Sequence, residues 1–205
     1  MTADPLLKYR EQHKHRLNYM PWLYWSLKPK HREWADVWQA EYQAYLMEME
    51  TIEIGKNCFI SPLAHIFAER GRKISIGDNT FIAADCTLHG PLEIGNEVAI
   101  NHHCILDGGR AGIKLHAQVR IAAYSHLYAF DHGMDLDRPI YQQAVTSKGI
   151  EIGRDVWLGA HVGIKDGVKI GHHAVVGMNS MVTKNIEDFA IVAGNPARLI
   201  RYRTE

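Results

Sequence analysis

The stretch IEIGRDVWLGAHVGIKDGVKIGHHAVVGMNSMVTKNI, residues 150–186, sets an aliphatic side chain at every sixth position: Ile152, Leu158, Ile164, Ile170, Val176 and Val182. A glycine often follows directly, as at Gly153, Gly159, Gly171 and Gly177. Four residues past each aliphatic comes a second small or β-branched series: Val156, Val162, Val168, Ala174, Ser180 and Ile186. Period six fits neither a helix at 3.6 nor an alternating strand at 2. It fits a coil of three short strands with an inward aliphatic at each corner. One coil buries almost nothing, and stacking coils creates the core. The repeat therefore predicts an all-β solenoid.

Outward from this run the same period extends toward the N-terminus. Ile54, Ile60 and Ile66 begin it, and a four-residue slip at Gly71-Arg72 resets the phase to Ile76. It continues through Ile82, Leu88, Ile94, Ile100 and Leu106, pauses at Asp107-Gly108-Gly109, and resumes at Leu115, Ile121 and Leu127. Roughly seven coils at ~4.8 Å each predict a prism about 30 Å long. The predicted organisation is a helical segment over 1–50, a solenoid over 51–190 with an inserted loop at 128–149, and a tail over 191–205. Residues 1–50 carry no hexads. Trp34, Trp38, Tyr42, Tyr45 and Met49 fall at helical spacing there, and Pro29 separates an earlier helix ending near Leu27. The aromatic stripe reads as a face docked on the stack rather than as a ligand platform.

The 205 residues carry 23 Lys and Arg against 23 Asp and Glu, so a nucleic-acid surface is not indicated. No apolar run approaches the ~20 residues of a membrane helix and no apolar signal core opens the chain, so no membrane insertion and a cytoplasmic location are expected. Cys86 and Cys104 lie three hexads apart in the inward series, which predicts stacked free thiols. No metal-type cysteine spacing occurs.

Special chemistry in a rigid repeat concentrates where the repeat breaks. The insertion includes YAFDHGMDLDRPI, residues 128–140, with His132 among Asp131, Asp135 and Asp137. Imidazole is the side chain best suited to take and return a proton near neutral pH. On these residues alone, an exposed loop histidine is the reading to prefer, and the insertion by itself does not overturn it.

The run VWLGA at 156–160, VTK at 182–184 and GNPARLIR at 194–201 resembles the hexapeptide-repeat acyltransferases, in the branch of the maltose, galactoside and polysaccharide O-acetyltransferases. The resemblance covers residues 50–203. It implies a left-handed parallel β-helix, an exception to the right-handed crossover rule. It also implies a homotrimer with active sites between subunits, and transfer of acetyl from acetyl-CoA to a hydroxyl.

By matching position the resemblance implies His132 as catalytic base, preceded by His126-Leu127-Tyr128. It implies acceptor contacts at Asn101 and at Asp107, where the spacing departs by a residue or two. Asn101 reads equally as a corner residue tolerant of left-handed backbone. The implied coenzyme A contacts are Ala160, Met178, Thr183, Lys184, Arg198 and Arg201, with Trp157 against the reacting groups. Met178 replaces a small residue and narrows the pantetheine groove. An amide near Gly159 or Ala160 is the expected oxyanion donor. DLDRPI and VTSK, residues 135–140 and 145–148, resemble the polysaccharide branch, so a sugar or polysaccharide-precursor hydroxyl is the expected acceptor. The N-terminal segment departs from the shorter leader of the sugar acetyltransferases. Two rivals stand beside this reading: a zinc enzyme like the γ-class carbonic anhydrases and a non-catalytic scaffold. His89, His116, His126, His102-His103 and His172-His173 do not match the carbonic anhydrase spacing, so no metal is expected.

Overall fold

The computed structural model describes residues 5–203. Three parallel walls run the length of the molecule, six strands in the first and third and eight in the second. Each wall stacks one inward column of the hexad series. Ile54, Ile76, Ile94, Leu115, Ile152 and Ile170 align in the first wall. Ile60, Ile82, Ile100, Ile121, Leu158 and Val176 align in the second. Ile66, Leu88, Leu106, Leu127, Ile164 and Val182 align in the third. These columns and the second small series form one continuous core.

Eighteen aliphatics at three per coil make six complete coils, not the seven expected. A seventh begins at Ile186, which bridges Ile170, and continues as the strand Ala190–Ala193 on the second wall. It never makes a third side. Instead the chain turns back as the antiparallel strand Arg198–Tyr202 and closes that end.

Corners need left-handed backbone, and two columns supply it. Asn57, Asn79, Glu97, Gln118, Asp155, His173 and Phe189 all have φ between 55° and 67°. So do Asp85, His103, Tyr124, His161 and Asn179. Coil spacing is close to ring-stacking distance, so His103, Tyr124 and His161 stack at 4.7 and 4.9 Å. Where the inward series is polar, the hydroxyl links successive coils. Ser125 Oγ donates to the Gly159 carbonyl at 3.0 Å and accepts from the Val162 amide at 3.2 Å. Cys58, Cys86 and Cys104 are free and buried, as the inward placement predicts. The sulfur of Cys104 beside it and burial push the Cys86 thiol well up, which keeps it neutral.

Helix α1 (Pro5–Tyr19), a 3₁₀ turn (Pro21–Ser26) and helix α2 (Pro29–Met49) precede the coils. Trp34 and Trp38 pack with Leu17, Tyr24 and Trp25 onto Phe59, Phe81 and Ala99, which point outward from the second wall in coils 1–3. The aromatic stripe is therefore a docking face along its first half. Tyr45 and Met49, further along it, stay 55% and 62% exposed. Two polar residues of α2 do what the stripe did not foretell. Gln39 is buried, donates to the Ile60 carbonyl at 3.1 Å and accepts from the Ile60 amide at 2.8 Å. Gln43 donates to the Cys58 carbonyl at 2.9 Å. Together they supply the ladder partners that the open edge of the first coil lacks.

Candidate active site

Beyond Tyr128 the chain leaves the third wall. Asp131–His132 pairs antiparallel with Val145–Thr146 as a two-stranded ribbon. Such a ribbon is marginal alone, and three side chains secure it. Gln143 accepts from the Asp135 amide at 2.9 Å and donates to the carbonyls of Asp135 and Arg138, both at 2.8 Å. Gly133 lets it approach, since a Cβ there would stand 2.7 Å from Gln143 Oε1. At the base, Ser147 Oγ donates to the Ala129 carbonyl and accepts from the amides of Arg110 and Ala111 at 3.0 and 2.9 Å. The buried carboxylate of Asp166 takes the amides of Lys148 and Gly149, each at 2.9 Å, where the ribbon rejoins the stack.

This frame presents His132 to solvent. Its ring lies edge-on to Phe130 at 6.3 Å and makes no hydrogen bond among the described residues. Two of the three acids expected around it pair with other side chains. Asp131 pairs with Lys165 at 3.3 Å and Asp137 with Arg138 at 2.7 Å. Strand alternation explains the first, because neighbouring residues point to opposite faces.

A cleft of about 310 Å³ at the C-terminal end gathers Thr183, Lys184 and Arg198. Neither cation has a carboxylate partner among the described residues, and the one acid there, Glu187, accepts the Tyr202 phenol at 2.6 Å. Trp157 and Arg201 share a different concavity of about 560 Å³ on the second wall. Asn101, Gly159, Ala160 and Met178 occupy the corner between the second and third walls. The Gly159 amide is spent on the Val176 carbonyl at 2.8 Å. Its carbon is also packed, since a Cβ would lie 2.6 Å from the Met178 amide. The Ala160 amide is the remaining donor. Its counterpart in coil 2, Ala84, points out of the stack and donates to the Asn18 carbonyl of α1 at 2.7 Å.

A more capacious concavity, about 730 Å³, lies on the first wall. Three of its four lysines are paired, Lys73 with Glu53 at 2.5 Å, Lys114 with Glu93 at 3.0 Å and Lys169 with Glu151 at 3.4 Å, and no histidine lines it. Volume alone does not make it the site.

The description "Bacterial transferase hexapeptide (six repeats)" matches residues 149–184, and "Hexapeptide repeat of succinyl-transferase" matches residues 73–101. A galactoside O-acetyltransferase of Lactococcus lactis is 30% identical over 170 residues, covering 82% of this chain and 70% of the relative. The chain belongs to the hexapeptide-repeat acyltransferases. A putative colanic acid biosynthesis acetyltransferase of Escherichia coli is 28% identical over 185 residues, covering 89% of this chain and 87% of its own. Among solved structures, an N-acyltransferase of Bacillus cereus in complex with dTDP and coenzyme A superposes with a TM-score of 0.70. It is 30% identical, covering 78% of this chain and 88% of that one. Three further curated relatives are matched over only 44%, 25% and 60% of their length.

Within this acyltransferase fold, one chain does not assemble all the expected site residues. His132 stands off the corner between the third and first walls, and Asn101 and Ala160 stand at the next corner. Asn101 spends its side-chain amide on the Ile121 carbonyl at 2.9 Å, which is corner work. Asp107 pairs in register with Tyr128 at the foot of the ribbon. Its carboxylate is held by His89 at 3.3 Å, Arg72 at 3.7 Å and the Gly109 amide at 3.0 Å. Met178 is 64% exposed in the single chain. The motif reading missed the ribbon's supports, Gln143, Ser147 and Asp166. Asp166 did leave a trace: it follows Ala68, Gly90, Gly108 and Ala129 in a column of small buried residues.

Proposed function

We propose that this protein is an acetyl-CoA-dependent O-acetyltransferase that acetylates a hydroxyl of a sugar or polysaccharide precursor in the cytoplasm, with His132 as general base. The observation that carries the proposal is the ribbon. It is a braced element that leaves a rigid stack, and the one imidazole it holds out to solvent has both nitrogens uncommitted among the described residues. The cleft of Thr183, Lys184 and Arg198 fits the donor, because two cations without carboxylate partners suit its phosphates.

In this mechanism the acceptor hydroxyl attacks the thioester carbonyl while His132 takes its proton. The new bond joins acceptor oxygen to acyl carbon, the carbon–sulfur bond breaks, and the proton passes from His132 to the departing thiolate. The outward amide of Ala160 supports the oxygen that gains charge, since Gly159 cannot. Asn101 and Asp107 line the acceptor side, and Trp157 and Arg201 extend the donor surface along the second wall. No serine or cysteine is set as a nucleophile, and the three thiols are buried.

We also assign a homotrimer. His132 and the Asn101–Ala160 corner occupy different edges of one prism, and a closed ring of three joins each ribbon to the next subunit's corner. The exposed Met134, Leu136 and Tyr141 at the ribbon tip support burial against such a neighbour. Light scattering is expected to give about 70 kDa, three times 23.3 kDa. A monomer at micromolar concentration excludes the shared site. The function itself is tested by an acceptor screen with acetyl-CoA, following release of free thiol. Turnover with hexoses, nucleotide sugars or oligosaccharides supports it. Thiol release from none of them above the water rate overturns it.

A further inference from the structure

Overall neutrality hides a local imbalance. Residues 5–32 hold seven Lys and Arg (8, 10, 14, 16, 28, 30 and 32) against one acid, Glu11. Two of these cations are paired, Lys14 with Glu11 at 3.0 Å and Arg32 with Asp36 at 2.5 Å. Arg16, Lys28 and Lys30 make no ion pair among the described residues, and all three line one cleft of about 430 Å³. His13, His31 and Ser26 share it above a floor of leucines, and no carboxylate lines it. His13 and His31 stack at 4.6 Å, and the carbonyl of Tyr9 lies 2.7 Å from His13 Nδ1. That contact makes Nδ1 the donor and leaves Nε2 unbonded. Desolvation, His13 and the two lysines hold the His31 imidazole below its usual range, as a cationic cleft requires.

Like charges gathered on a folded surface repel, and a bound anion offsets that repulsion. Guanidinium and ammonium groups from three chain positions suit a ligand with several anionic oxygens better than a single-point anion. The leucine floor suits an uncharged remainder. The cleft sits on α1 and the start of α2, which cover coils 1–3, whereas Thr183, Lys184 and Arg198 lie at the other end of the stack.

We propose that this cleft is a second anion site, which takes a phosphate monoester or diphosphate carried by a soluble molecule or by a lipid headgroup. It stands apart from the acyl-transfer site and does not depend on it. Calorimetry with inorganic pyrophosphate on the full chain, at constant ionic strength, tests it. Saturable binding is expected, with at least a tenfold loss in the Arg16→Gln/Lys30→Gln variant. Both side chains are exposed, so the variant is expected to keep the wild-type melting temperature and coenzyme A affinity. Absence of saturable binding, equal affinity in the variant, or a loss that follows Arg198→Ala instead overturns the proposal. A parallel arm sediments the protein with phosphatidylglycerol and with phosphatidylcholine vesicles. Sedimentation with the anionic vesicles alone, lost in the double variant, identifies a headgroup as the source. Pyrophosphate binding without sedimentation identifies a soluble phosphate.

Discussion

The ribbon of residues 129–149 and the coils of 150–182 adjoin in the chain yet are held by opposite means. In the coils, every sixth side chain enters a common core, so position follows from count. In the ribbon almost nothing is buried, and position follows from Gln143, Ser147 and Asp166, each used once. A repeat fixes a wall cheaply and redundantly but points no side chain outward in a special way. A singular, polar-braced insertion does that, at the expense of depending on each brace.

The largest expected effect lies on the ribbon. His132→Ala should lower kcat by about 10²- to 10⁴-fold, the range for one positioned proton acceptor. Coenzyme A affinity and melting temperature should hold, because the ring is exposed and makes no hydrogen bond among the described residues. His126→Ala, on the third wall beneath the ribbon, should cost far less. Comparable losses at both positions would mean that the ribbon matters as structure and not for its imidazole.

The converse test belongs to the stack. Leu127 is fully buried in coil 4, at the root of the ribbon, and Leu127→Ala should destabilise by about 2–5 kcal/mol in a urea titration. Met134→Ala at the ribbon tip, 74% exposed, should stay within about 0.5 kcal/mol for a single chain. A large loss at Met134 together with dissociation would show that the tip is buried against a neighbour. The contrast would then hold only for the isolated chain.

At the C-terminal end the comparison narrows to charge. Arg198→Ala removes a cation whose guanidinium, among the described residues, makes no ion pair and donates to its neighbour's carbonyl at 2.9 Å. Coenzyme A affinity should fall about tenfold to a hundredfold, as for one charge-assisted phosphate contact. Unchanged affinity by calorimetry removes Arg198 from the donor site.

The smallest effect is a pH dependence. The hydrogen bond from His173, and then Arg203, holds the Asp155 carboxyl below its usual range. A depressed folded value stabilises above the unfolded pKa and is lost as pH falls through the folded one. Asp155→Asn should therefore lower Tm by no more than about 2 °C at pH 7, the pair being exposed. Wild type and variant should converge once the pH falls below the depressed folded pKa of Asp155. A gap that persists or widens in acid would show that Asp155 acts through something other than its charge.

How far the chain could be read follows from the same contrast. The columns from Ile54 to Val182 were legible because a period is a local property, visible without knowing what packs on what. Trp34 and Trp38 were legible as a docking face for the same reason, since helical spacing marks one side. His132 was legible as a histidine where the repeat breaks, and the family resemblance gave it a role. Gln39 was not legible: a glutamine within a helix does not announce that it will complete the edge of a strand 21 residues away. Nor was it legible that Asp131 would turn to Lys165 and Asp137 to Arg138, because three acids close to a histidine in sequence say nothing of which face each takes.

By itself, then, the sequence determined the coil architecture, the inward residues and the place where the repeat opens. Only the tertiary structure decided the number of complete coils, the braces of the ribbon, and the separation of His132 from the Asn101–Ala160 corner. The physical reason is one of range. Burial in a repeat is set by spacing along the chain. A hydrogen bond such as Arg110 to Ser147, 37 residues apart, is set by where two unrelated segments come to lie.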